Sequence, residues 1–268
     1  MFSEWVSILL PGFIVSLFVV STLTYFGLHV LGRGIIFVDL ALAQVSALGA
    51  IIAILLWGED AGTPAFWLSL AFTFMAAIFL AFLRHVQDKT TREVAIGCLY
   101  IVSMALGIVL LSTSPHGSEH LKALLNGNLL WVTSPEIIQL GVVSVITLVL
   151  FYRFHAQFYQ LSFETGTGES PSFGWEALFF ILFALIIAMI VQIVGVLMVF
   201  AYLILPAFAA SMLATSFRTQ YLLGSGISIL MTVAGGFLSV KYDLPTGALI
   251  VCLLGILPVV AALIAWRR

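Results

Sequence analysis

The chain has 268 residues, 62% of them hydrophobic and only 8% charged, with a mean hydropathy of +1.21. A soluble domain carries about 25% charge, so the composition excludes a water-soluble globular enzyme and calls for a polytopic membrane protein. A net charge of -2, without a basic run interleaved with aromatics, excludes a nucleic-acid binder.

A membrane helix needs about 20 apolar residues. Apolar segments fall at 5–31, 35–57, 64–83, 94–112, 135–152, 175–195, 197–216, 221–240 and 246–266. They predict one all-α transmembrane domain over 1–268, with about nine crossings (eight to nine) and helices broken by Gly and Pro. The opening MFSEWVSILLPG has neither a basic n-region nor a small-residue cleavage site, and reads as a retained first span. Cys98 and Cys252 lie in apolar runs, which predicts packed thiols and not a disulfide.

Whether 175–216 crosses once or twice is a question of charge. With nine crossings and the N-terminus outside, Arg33, Arg84, Lys89, Arg92, Arg153, Arg218, Arg267 and Arg268 face the cytoplasm. Only Lys122 and Lys241 then face out. With eight crossings, Arg218, Arg267 and Arg268 exchange sides with Lys241. The positive-inside rule favours nine, with a tight reversal at Gly195.

Two connections are long. The outer one, 112–134, reads as a short amphipathic helix ending in a turn at Asn126-Gly127. The inner one, 155–174, is the longest cytoplasmic stretch and ends in a Gly/Ser/Thr/Pro run, which suggests a packed contact segment.

The stretch 192–210 (QIVGVLMVFAYLILPAFAA) combines Gly195 and Pro206 with two hydrogen-bonding side chains, Gln192 and Tyr202. A broken segment persists in hydrocarbon only where protein or a cavity satisfies its backbone, as in transporters. An ordinary kinked helix gives the same letters. Gly34-Ile-Ile-Phe-Val faintly echoes Gly195-Val-Leu-Met-Val, a possible internal repeat.

Several segments resemble the permease subunits of ATP-driven importers for zinc, manganese and iron. Asp39-Leu-Ala-Leu-Ala-Gln-Val-Ser-Ala-Leu-Gly49 is similar to that family's early motif, a Gly-Asp pair then Leu-Ala/Ser-His and small residues. Leu125 to Glu136 resembles its Leu-Phe-Gly-Asp…Thr-Pro-Glu stretch, and Val194 to Ala210 its late glycine-to-proline motif. Gly236 to Gly247, with Tyr-Asp-Leu-Pro-Thr-Gly, resembles its penultimate turn. Two departures stand out. Gln44 replaces the motif histidine, Leu40 falls at its aspartate and Asp39 at its glycine; Phe163-Glu-Thr-Gly-Thr-Gly-Glu-Ser170 replaces an Asp-Pro-Glu run. Metal ligands of the early motif are therefore not carried over.

The resemblance implies a multi-pass permease of a bacterial cytoplasmic membrane, working by alternating access as a homodimer or heterodimer among membrane lipids. It also implies a cytoplasmic ABC ATPase, an extracytoplasmic metal-binding protein, and a transported divalent metal with no permanently bound cofactor. The chain has no Gly-x-x-x-x-Gly-Lys-Ser/Thr loop, so ATP chemistry is expected in a separate partner. A chelated-iron permease of the same architecture is the runner-up, and a lone channel or secondary transporter a third reading.

Residue by residue, Asp39 lies about one turn inside the second span. It reads as a partner of Arg33, as a cap of the helix start, or as a gate or cation relay in the bundle interior. Ser46, seven residues on, shares its face. Gln44 lies roughly 16 Å along the helix from Arg33 at 1.5 Å per residue. It serves either as interhelical glue or as a weak contact to the ion. In the outer connection, His116, Glu119 and His120 share a helical face with ligand types that suit zinc. The same letters fit His-x-x-Glu-His, which raises a membrane metalloprotease; a solvated loop and a low-affinity entrance site are the other readings. In the inner connection Phe158, Tyr159 and Phe163, with Glu164 and Glu169, are candidates for docking an ATPase. Gly166 and Gly168 would permit a sharp turn there, and aromatics of a lipid-interface belt are the alternative.

Overall fold

The computed structural model describes residues 2–58, 61–86, 88–114, 116–127, 129, 132–163 and 173–266. Side chains are described for these except residues 2–8 and Arg84.

Helices α1 (Phe2–Arg33), α2 (Val38–Trp57), α3 (Gly62–Phe82) and α4 (Lys89–Leu111) are followed by a short α5 (Gly117–Asn126) and by α6 (Ser134–Arg153). A second short helix, α7 (His155–Phe163), precedes α8 (Phe173–Val194), α9 (Val196–Leu213), α10 (Phe217–Tyr242) and α11 (Thr246–Trp266). Among the described residues there is no strand, and nine helices are long and apolar enough to span a membrane. The chain is a multi-pass all-α membrane protein.

Charge and capping, which hydropathy does not register, set several boundaries. α4 begins at Lys89, ahead of the apolar run, because Asp88 caps it: its carboxylate accepts from Thr91 N–H at 2.9 Å. The Thr-Ser-Pro-Glu letters before α6 form a capping box, Glu136 accepting from Thr133 N–H at 2.7 Å. The Asp-Leu-Pro-Thr-Gly turn is likewise punctuation. Asp243 is left-handed (φ 52°), and Ser239 Oγ donates to the Leu244 carbonyl at 2.7 Å.

α1, α2, α8 and α9 form the buried centre, while α4, α6 and α11 turn most of their surface outward. Ile138, Val142, Val145, Ile146 and Val149 give α6 an exposed apolar face suited to lipid. Cys98 and Cys252 are free thiols and both are exposed, so the expectation of packed thiols is corrected: each lies on the outward side of a peripheral helix.

Gly195, at φ 80° and ψ 162°, is the whole connection between α8 and α9. Only glycine adopts that backbone readily. α9 then runs back to the end of the bundle where α8 began. Phe217, just after it, packs against His29, His155, Tyr159 and Phe163, while Glu176 at the start of α8 bonds Arg33. The segment 175–216 therefore crosses twice, with Arg33, Arg153 and Arg218 at one end. Gly34 also has positive φ (67°) and breaks the chain between α1 and α2, at the opposite end from Gly195.

Candidate functional site

The centre of α2 carries the polar residues of the early motif, on two faces. Asp39 is fully buried in the first turn, and neither carboxylate oxygen has a hydrogen-bond partner among the described residues. The pairing with Arg33 is not made. That guanidinium donates to Glu176 at 3.0 Å and to Ser162 at 3.0 Å, and stacks 3.8 Å over the Phe179 ring. The N-cap residue, Phe37, supplies no side-chain cap, and the Asp39 carboxylate faces the backbone N–H groups of Asp39 and Leu40 at the start of α2. Ser46, on the same face, bonds Ser69 of α3 at 2.7 Å.

Gln44 points elsewhere. It borders a gap of about 10 Å³ lined by Ser103, Gly107, Leu121, Leu125 and Val196. Tyr202 is wholly buried in α9 and bonds Thr232 of α10 at 2.6 Å, whereas Gln192 is exposed. The five candidate path residues are thus distributed over three helices and several faces within one chain, not gathered at one point.

Near Gly195 the opposite end is closed by backbone contact. A Cβ on Gly195 would fall 2.4 Å from Gly127 N and 2.6 Å from Leu125 O. One on Gly247 would meet Asn126 O at 2.8 Å, and one on Gly12 would meet Leu129 O at 2.9 Å. Three glycines from α1, the α8–α9 break and α11 therefore cradle the end of α5 with Gly127 and Leu129. Beside it lies a polar hollow of about 390 Å³ bounded by Asn126, Ser239, Asp243 and Thr246.

His116 sits at the start of α5, with its Nδ1 3.8 Å from Glu119, and both side chains are exposed. His120 is half-buried. Among the described residues, no three His, Cys, Asp or Glu side chains are grouped to hold a metal. The three-ligand set a metalloprotease needs is not assembled there.

In the inner connection, α7 is a packed helix. Phe158 is fully buried against Phe151, Trp175 and Phe179, so its ring belongs to the interior. Tyr159 is half-buried and stacks on the exposed Phe163 at 4.9 Å. Glu164, Gly166, Gly168 and Glu169 lie outside the described residues.

Sequence reasoning missed the polar groups that tie α7 to α1. Tyr25 bonds His155 Nδ1 at 2.9 Å, and His29 bonds Ser162 at 2.8 Å. Burial, then the Arg218 charge, holds the His155 imidazole below its ordinary pKa. The available signal was the four-residue spacing of Tyr25, His29 and Arg33 in an otherwise apolar span.

Comparison with known proteins agrees with this architecture. The sequence pattern of the ABC 3 transport family matches residues 6–265. A probable iron transport system membrane protein of Haemophilus influenzae is 33% identical over 171 residues, 62% of each chain. The manganese transport system membrane protein MntC of Listeria monocytogenes is 27% identical over 200 residues, 74% of this chain and 71% of that one. A probable metal transport system membrane protein of Chlamydia pneumoniae is 27% identical over 188 residues, 68% of this chain. The matched stretch spans 64% of that Chlamydia protein's length and 62% of the Haemophilus protein's. The fold is similar to a chain of PsaBC from Streptococcus pneumoniae in complex with Fab, at a TM-score of 0.79 and 23% identity, covering 97% of this chain and 95% of that one. With its pattern matched from the first span to the last, the chain belongs to the ABC 3 transport family.

Proposed function

We propose that the chain is the permease subunit of an ATP-driven importer for a divalent transition metal: zinc, manganese or iron. The observation that carries this reading is the family match over residues 6–265, joined to relatives named for metal, iron and manganese transport. The metal is cargo, not a resident cofactor. Two copies, or one copy and a close relative, enclose the path in a bacterial cytoplasmic membrane. An extracytoplasmic metal-binding protein delivers the ion. A cytoplasmic ABC ATPase supplies the energy, since no phosphate-cradling loop exists in the sequence.

In this reading each end has its own task. The Arg-rich end is cytoplasmic by the positive-inside rule. There Tyr159 and Phe163, with the segment that follows, dock the ATPase, while Phe158 anchors α7 in the bundle. At the outer end, His116, Glu119 and His120 capture metal at the entrance, near the glycine-cradled end of α5. Asp39, a buried carboxylate without a side-chain partner among the described residues, is the cation-attracting group on the inner side.

Cells lacking the chain, grown with the three metals scarce, should hold less of one of them, and re-expression should restore it. Unchanged cellular zinc, manganese and iron would overturn the proposal.

A further inference from the structure

Tyr25, His29 and Arg33 recur every four residues, so they line one face of α1. Each is buried and each reaches across to α7 or its flank. Tyr25 Oη bonds His155 Nδ1, while Arg33 Nε donates to Ser162 at 3.0 Å and Arg33 Nη1 to Glu176 at 3.0 Å. A guanidinium only donates, so the Ser162 oxygen accepts from Arg33, and the same hydroxyl also bonds His29 Nδ1 at 2.8 Å. The other ring nitrogen of His29, Nε2, has no hydrogen-bond partner among the described residues, and the imidazole lies among the rings of Tyr25, Phe163, Phe179 and Phe217. One serine hydroxyl thus joins two α1 side chains to α7.

The opposite face of α1 is in backbone contact with α9. Gly27, two residues from both Tyr25 and His29, would place a Cβ 2.0 Å from the Leu203 carbonyl and 3.1 Å from Ala207. Leu203 and Ala207 bracket Pro206, the second interruption in the broken segment. α1 is therefore held by directional bonds to the inner helix on one side and by close packing to the interrupted helix on the other. Coupling between distant sites requires such a contiguous physical connection.

We propose that Tyr25, His29 and Arg33 are positioning residues of transport: they make α1 and α7 one rigid body that carries displacement of α7 to α9 at Gly27. This rests on the permease reading above.

The test uses the full complex, permease with its ATPase and metal-binding protein, in liposomes, with manganese(II), zinc(II) and iron(II) each supplied alone. Tyr25→Phe combined with Ser162→Ala removes the ties but keeps the aromatic ring and nearly all the packing volume. Hydrolysis should stay within about twofold of the parent while metal moved per ATP falls at least about fivefold; Ser162→Thr, which keeps the hydroxyl, should restore the ratio in the Tyr25 background. A ratio within about twofold of the parent overturns the inference and leaves the permease reading standing. Absence of ATP-driven uptake by the parent complex refutes that reading instead. If the double variant inserts poorly, Tyr25→Phe and Ser162→Ala are each measured alone; a fall in metal moved per ATP is expected for both, and a ratio within about twofold of the parent for both overturns the inference.

Discussion

Gly195→Ala should be among the most damaging single-methyl changes in the chain. Its backbone, at φ 80° and ψ 162°, lies in a region almost confined to glycine, where another residue costs about 1–3 kcal/mol. The new Cβ would also fall 2.4–2.7 Å from backbone atoms of Gly127, Leu125 and Asn126, which cannot rotate away as a side chain would. Forced repacking of that kind adds about 1–3 kcal/mol, for a loss of about 2–6 kcal/mol. Gly226→Ala is the control. It lies inside α10 with nothing within 4 Å of its Cβ, so alanine there should be neutral or stabilising by up to about 1 kcal/mol. Denaturant-induced unfolding in mixed micelles, followed by tryptophan fluorescence, measures both. A loss below about 1 kcal/mol for Gly195→Ala would refute the claim that this glycine makes the reversal between α8 and α9.

A reporter fused after Arg218 should read cytoplasmic and one after Lys241 outside; a cytoplasmic signal at Lys241 would invert the last hairpin. Alanine at His116, Glu119 and His120 together should raise the external metal needed for half-maximal uptake and leave the maximal rate within about twofold, whereas unchanged uptake at every concentration returns α5 to a solvated helix. Phe158→Ala should cost about 3–5 kcal/mol of stability, because the ring is fully buried; retained stability with lost ATPase binding would show it to be a docking residue after all. Because the folded-state pKa of His155 is lowered, the unfolded chain takes up its proton first as pH falls below about 6.5. Stability should therefore decline with falling pH below that value, and His155→Gln should flatten the slope.

The nine apolar helices and the break at Gly195 were legible because hydropathy and glycine report them directly. The motif letters were legible but differently employed: Thr133 with Glu136 and Asp243 to Gly247 are helix punctuation, seen only once the backbone is known. The burial of Phe158 was not legible, because a nine-residue helix with apolar residues on several sides gives no clear face. The ladder on α1 was hidden for a different reason. Its partners lie about 130 residues or more away, at His155, Ser162 and Glu176, and no local pattern records that distance. For Asp39 the sequence offered Arg33 as neighbour, but Glu176 and Ser162 occupy that guanidinium.

The central claim is tested most directly by metal uptake into liposomes holding the purified permease with its ATPase, the metal-binding protein added outside. The account predicts saturable accumulation of zinc, manganese or iron that requires hydrolysable ATP and is lost when the permease is omitted. Hydrolysis without accumulation of any of the three, or accumulation that proceeds equally without ATP, would contradict it.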